Sequence, residues 1–133
     1  MCLVLWPSSR PPVLQDQLVA FAFEAFAKRF RAKTDLPDAI LFTDDYLARG
    51  ALLALLAAGV RTGRDVLVMT LANKGIAVVH PDPIDLLLRD PAQDADTISD
   101  AILGYLETGA PQRGITLKTR FVTDATHSFS LRK

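Results

Sequence analysis

The chain has 133 residues, room for one ordinary domain, and with 50% hydrophobic and 23% charged residues it can bury a core and remain in water. Fifteen basic residues balance fifteen acidic ones, and the Lys and Arg residues are scattered along the chain, so the sequence offers no electrostatic footprint for nucleic acid. The single cysteine, Cys2, excludes an internal disulfide and a cysteine-rich metal site, which suits a reducing compartment.

Strand-like and helix-like segments alternate, the mark of an α/β fold with a parallel sheet. Residues 2–6 (CLVLW) read as a buried first strand ended by Pro7. This apolar start is too short for a signal peptide and lacks a basic leader, and the longest apolar run, residues 51–60, is too short to span a bilayer. A cytoplasmic protein without membrane contact is therefore expected.

Residues 14–33 read as a long helix, with Val19, Phe23, Phe26 and Phe30 at helical spacing on one sheet-packing face. Residues 39–42 (AILF) form a second buried strand. Thr43 or Asp44 can cap the next helix, which runs to about Ala58, and Gly59 supplies its left-handed stop. This helix is apolar nearly all round, so it should pack on the sheet and against a second surface, for which a partner subunit is the natural candidate.

Residues 65–70 (DVLVMT) read as a third strand, residues 71–75 (LANKG) as a polar loop, and residues 76–79 as a short extra strand. Pro81 and Pro83 then break the chain before an extended segment at 84–88. A helix over residues 92–107 places Ala95, Ile98, Ile102 and Tyr105 on one stripe, and Thr108-Gly109 ends it. Residues 115–122 read as a closing strand and 123–133 as a polar tail.

In open parallel α/β sheets, ligands bind beyond the carboxyl ends of the strands. That rule selects Trp6 with the residues after it, Thr43-Asp44-Asp45, and Leu71-Ala72-Asn73-Lys74. A carboxylate, an amide and an aromatic face suit a polyhydroxylated ligand, because the polar groups bond hydroxyls while a ring covers the apolar sugar face. Each piece also has a purely structural use: Trp6 as core or rim, Asp44-Asp45 as a helix N-terminus, and Asn73-Lys74-Gly75 as a turn.

Other chemistries find no support. His80 and His127 have no metal-ligand spacing to a second His or Cys and read as surface residues. The five serines (Ser8, Ser9, Ser99, Ser128 and Ser130) lack a nucleophile-elbow context, and no glycine-rich nucleotide motif is present. No catalytic residue, metal site or cofactor is expected, and the chain reads as a non-enzyme.

Residues 37–68, PDAILFTDDYLARGALLALLAAGVRTGRDVLV, resemble the effector domain of LacI/GalR-type transcription regulators. The resemblance lies in an Asp-Asp turn (Thr43-Asp44-Asp45) and a small-residue helix pattern (Ala48-Arg49-Gly50-Ala51). A Gly-hydrophobic-Arg turn (Gly59-Val60-Arg61) and the strand at 65–68 complete it. Pro83-Ile84-Asp85, the helix at 92–107 and the strand at 115–121 match the family's C-terminal end more loosely.

The resemblance implies a Rossmann-like parallel sheet flanked by helices, about half of a type I periplasmic-binding-protein-like domain. Residues 1–133 would be the C-terminal lobe plus a returning segment. It further implies that Asp44 bonds sugar hydroxyls, Asp45 begins the helix beside it, and Trp6 stacks on the ligand. Where the family often has an aspartate after the next strand, Ala72 or Asn73 stands here, and Asn73 can still bond a hydroxyl. Tyr46, Arg49 and Leu53 would lie on a dimer-forming helix, with Arg49 at a usually apolar position.

The implied partners are a small-molecule effector, such as a sugar or related polar metabolite, and a second copy of the chain. DNA would be reached only through a helix-turn-helix domain that this chain does not carry. The helix at 92–107 would pack on the complementary lobe in the family, so here Ile98, Ile102 and Tyr105 are expected to be exposed or to find another partner. Two alternatives stand beside this reading. A response-regulator receiver also has an Asp-Asp pair before a similar helix, although this chain has Thr70 where a receiver's phosphoacceptor aspartate would end a strand. The other alternative is a dimerisation fragment that senses nothing.

Overall fold

The computed structural model describes residues 15–31, 35–76, 78–111 and 114–123. The strand expected at 2–6, Trp6 with it, and His127 in the tail lie outside the described residues. The element order is α1 (Gln15–Arg29), β1 (Ala39–Phe42), α2 (Asp45–Ala57), β2 (Leu67–Asn73), β3 (Asp85–Arg89), α3 (Pro91–Thr108) and β4 (Thr119–Val122).

The four strands make one mixed sheet in the order β1-β2-β3-β4. β1, β2 and β3 are parallel, with Phe42 opposite Thr70 and Asn73 opposite Arg89. β4 closes the sheet antiparallel to β3, with Thr119 opposite Arg89. Parallel neighbours cannot be joined by a hairpin, and α2 supplies the crossover between β1 and β2.

Alternation along the strands decides which side chains enter the core. Ile40 and Phe42 of β1 and Val68, Thr70 and Ala72 of β2 are buried, while Leu41 is 37% exposed. Ala48, Ala51, Leu52, Ala54 and Leu55 of α2 join Ile40, Phe42, Val66 and Val68 in one apolar cluster, which also takes in Ala22, Phe26 and Phe30 from α1 and the residue after it. Phe26 bridges the two layers: its ring centroid lies 5.3 Å from that of Phe30 and 5.5 Å from that of Phe42.

The second surface covering α2 is therefore α1 of the same chain, where the sequence suggested a partner subunit. Gly50 makes this contact possible. A Cβ built at Gly50 would lie 2.0 Å from the carbonyl oxygen of Val19, so only glycine lets the two helices approach this closely. The same approach corrects the expected face of α1. Ala22 is buried against α2, whereas Phe23, expected on the core face, is 39% exposed.

Three further expectations change. β2 does not stop at Thr70 but continues through Leu71 and Ala72 to Asn73, because these residues find ladder partners in Leu87, Leu88 and Arg89. The turn is confined to Lys74-Gly75, where Gly75 takes a φ of 89°. Residues 76–79 contribute no strand among those described, and the extended segment expected at 84–88 is the third strand of the sheet. α3 shows the apolar stripe outward: Ile102 is 54% and Tyr105 51% exposed, and with Ile98, Pro111 and Ile115 they line an open apolar groove.

Candidate ligand-binding cleft

The strand-end rule and the register of the sheet converge on one edge. β1 ends at Phe42, and the chain turns through Thr43 and Asp44 into α2. β2 ends at Asn73, beside Arg89 at the end of β3. A cleft of about 140 Å³ is lined by Thr43, Asp44, Asp45, Leu71, Ala72, Asn73 and Arg89. Two of the three segments selected from the sequence thus lie in one cleft. The third, around Trp6, lies outside the described residues.

Asp44 is the N-cap of α2, and its Oδ1 accepts hydrogen bonds from the backbone N–H of Tyr46 at 2.9 Å and of Leu47 at 3.1 Å. Those bonds satisfy two amides that the first helical turn leaves unpaired. They also fix the carboxylate at the cleft wall, and both use the same oxygen. Asp45 turns back along the helix, where its Oδ2 accepts from the Arg49 guanidinium at 3.3 Å. Arg49 also stacks over the Tyr46 ring, 5.2 Å from its centroid, while Leu53, one turn further on, is 53% exposed.

Arg89 was not singled out from the sequence. It directly follows the extended segment read at 84–88, so applying the strand-end rule to that segment would have found it. Its Nε and Nη2 both donate to Asp94 Oδ2, at 3.0 and 2.6 Å, which fixes the guanidinium plane at the floor of the cleft. Arg89 also borders a separate, larger cavity of about 390 Å³, whose lining includes Lys74, Leu88, Asp90, Gln93, Lys118 and Arg120. Four of the fifteen basic residues, Lys74, Arg89, Lys118 and Arg120, border this cavity.

Lys74 Nζ donates to Asp90 Oδ2 at 2.6 Å, and this hydrogen bond is the main reason the Asp90 carboxyl is held below the ordinary carboxylate range. A depressed folded-state pKa means that the contact contributes above the unfolded value and is lost as pH falls through the folded one. The Asp90 side-chain carbon, followed by NMR, should titrate below the usual aspartate range. In Lys74→Met its midpoint should return upward; an unchanged midpoint would show that Lys74 does not hold it.

The opposite edge of the sheet carries a different cluster. Arg61 binds both carboxylate oxygens of Asp82, a side chain only 4% exposed. His80, expected at the surface, is half-buried: its Nδ1 accepts from the Asp82 backbone N–H at 3.2 Å and lies 3.4 Å from Thr62 Oγ1. These contacts tie the start of β2 to the loop entering β3, at the amino ends of the strands and away from the cleft. Among the described residues, no group of three or more His, Cys, Asp or Glu is placed to hold a metal ion. No described helix is long and apolar enough to cross a membrane.

The geometry defines an α/β domain with a polar cleft at the carboxyl ends of its parallel strands. The chain belongs to the periplasmic binding protein-like domain family, whose model matches residues 7–126. The resemblance read from residues 37–68 is thus borne out at the level of the domain family. The fold is similar to the crystal structure of a "putative transcription regulator" from Staphylococcus saprophyticus, with a TM-score of 0.60 and 17% identity. The similarity covers 87% of this chain and 41% of that one, so the chain spans about two-fifths of the regulator's length. No curated protein matches the chain.

Proposed function

We propose that the chain is the effector-binding module of a LacI/GalR-type transcription regulator, a cytoplasmic binding domain and not an enzyme. It takes a sugar or another small polar metabolite in the cleft at the carboxyl edge of the sheet. The observation that carries this reading is the meeting of Thr43-Asp44-Asp45 with Asn73 in one cleft, from two segments distant in sequence. In this reading Asp44 Oδ2 and the Asn73 amide bond ligand hydroxyls, and Arg89 adds a fixed donor. Trp6 supplies the stacking face. The domain family and the fold shared with a transcription regulator support it.

The chain provides one lobe and a returning segment of the binding domain, and DNA is reached through a separate helix-turn-helix domain. Dimerisation uses the outward side of α2, where Tyr46, Arg49 and Leu53 follow one another. The receiver alternative gains nothing from the strand ends: β2 finishes on Asn73, where a phosphoacceptor carboxylate would be needed.

Calorimetry against a panel of monosaccharides and nucleosides tests the proposal. Saturable binding of at least one compound, with dissociation constant below about 1 mM, is the expected result. Asn73→Ala should weaken it. A flat panel would leave only a dimerisation role, which sedimentation would detect.

A further inference from the structure

We propose that the outward stripe of α3 is an interface with a second copy of this chain, the two α3 helices packing antiparallel across a two-fold axis. The inference stands apart from the cleft and from the outward side of α2, and it goes beyond the effector-binding reading.

α3 is 18 residues long, yet only Asp94 and Ala101 are buried on it. Among the described residues α1 and α2 pack on each other, and no helix packs along α3. Helices in proteins draw most of their stability from packing an amphipathic face. Here that face is bare: Ile98, Ile102, Tyr105, Leu106 and Ile115 are 43–71% exposed. Ile98, Ile102 and Tyr105 form one wall of an open groove, which Pro111 and Ile115 also line.

The size of the stripe suits a dimer. Five side chains of this bulk, about half exposed, present roughly 500 Å² of apolar surface. One side of a standard interface covers about 800 Å², and in a homodimer about two-thirds of that is apolar, again roughly 500 Å².

The order of the side chains selects a second copy as the occupant. Ala95, Ile98, Ile102 and Tyr105 follow one another at steps of three, four and three, the spacing of a seam between two helices. That spacing reads the same in both directions about residue 100. An antiparallel copy therefore sets Ile98 against the partner's Ile102, and Tyr105 against the partner's Ala95, a large side chain over a small one. Asp96, Asp100 and Glu107 fall on the opposite side of the helix, so pairing buries none of their carboxylates. Asp94, nearer the seam, is already held by Arg89.

Sedimentation equilibrium from about 1 to about 100 μM tests the proposal. The parent for the series is Leu53→Asp, which removes any association through α2. That chain should still dimerise. Adding Ile98→Asp/Ile102→Asp, with an unchanged circular dichroism spectrum, should weaken the dimer by about a hundredfold or more, since each copy then carries two carboxylates in the seam. Adding Ala95→Tyr instead should weaken it about tenfold, and Ala95→Tyr/Tyr105→Ala should restore it, because the swap puts large over small again.

A Leu53→Asp chain that stays monomeric up to about 100 μM would overturn the second copy and leave the stripe to the complementary lobe. Dimers that survive the paired aspartates would overturn the assignment to α3. A swap that fails to restore the dimer would overturn the antiparallel pairing.

Discussion

Gly50→Ala is expected to destabilise the protein by about 2 kcal/mol or more, although alanine is the better helix former by about 1 kcal/mol. The new Cβ would stand 2.0 Å from the carbonyl oxygen of Val19, 2.9 Å from its carbonyl carbon and 3.0 Å from the Ala22 Cβ. The first two are backbone atoms, so no rotamer change relieves the clash and α1 must lift off α2. Gly104 is the internal control, since it also lies within a helix but has nothing within 4 Å of an added Cβ. Gly104→Ala should gain about 0.5–1 kcal/mol. Urea unfolding of the pair should move the two midpoints in opposite directions; a Gly50→Ala midpoint at or above that of the parent would refute the α1–α2 packing.

The second large effect separates two phenylalanines that the sequence placed together. Phe26 is 4% exposed and wedged between the rings of Phe30 and Phe42, whereas Phe23 is 39% exposed. Phe26→Ala should cost about 3–5 kcal/mol, because the cavity it leaves is walled by elements that cannot collapse independently. That is a large fraction of the roughly 5–15 kcal/mol that holds a domain folded. Phe23→Ala, which empties space already open to water, should cost less than about 1 kcal/mol. Equal losses would restore the single helical face suggested by spacing.

These two comparisons show what kind of information the sequence held. β1 was legible to the residue and the start of α2 to within one, because AILF is bounded by Pro37-Asp38 and by two candidate caps, Thr43 and Asp44, of which Asp44 is the one used. The end of α2 was legible from Gly59, which takes a φ of 70°. In each case the decisive signal was local. The misread features depend on partners distant in sequence. Phe23 fits the apolar period as well as Phe26 does; Gly50, in another helix, draws Ala22 inward instead. The length of β2 was set by β3, which supplies partners for Leu71, Ala72 and Asn73.

The cleft was half legible for the same reason. Thr43, Asp44, Asp45 and Asn73 follow from finding strand ends, and the structure brings them together. Arg89 required recognising that the segment after Pro83 is a full member of the sheet. The gathering of Lys74, Lys118 and Arg120 around one cavity was invisible in a chain with zero formal charge, because it depends on β4 pairing with β3. His80 was misplaced because its anchor, the buried Asp82 held by Arg61, is a contact between two loops.

The central claim is that ligand binds at the carboxyl edge of the sheet, and amide chemical-shift mapping tests it most directly. The isotopically labelled chain would be titrated with the tightest-binding monosaccharide or nucleoside of the panel. The account predicts saturable shifts centred on the amides of Thr43, Asp44, Asp45, Asn73 and Lys74, with Arg61, His80 and Asp82 at the far edge unmoved. Shifts centred on that far edge or on the α3 groove, or no shifts up to about 10 mM ligand, would contradict it.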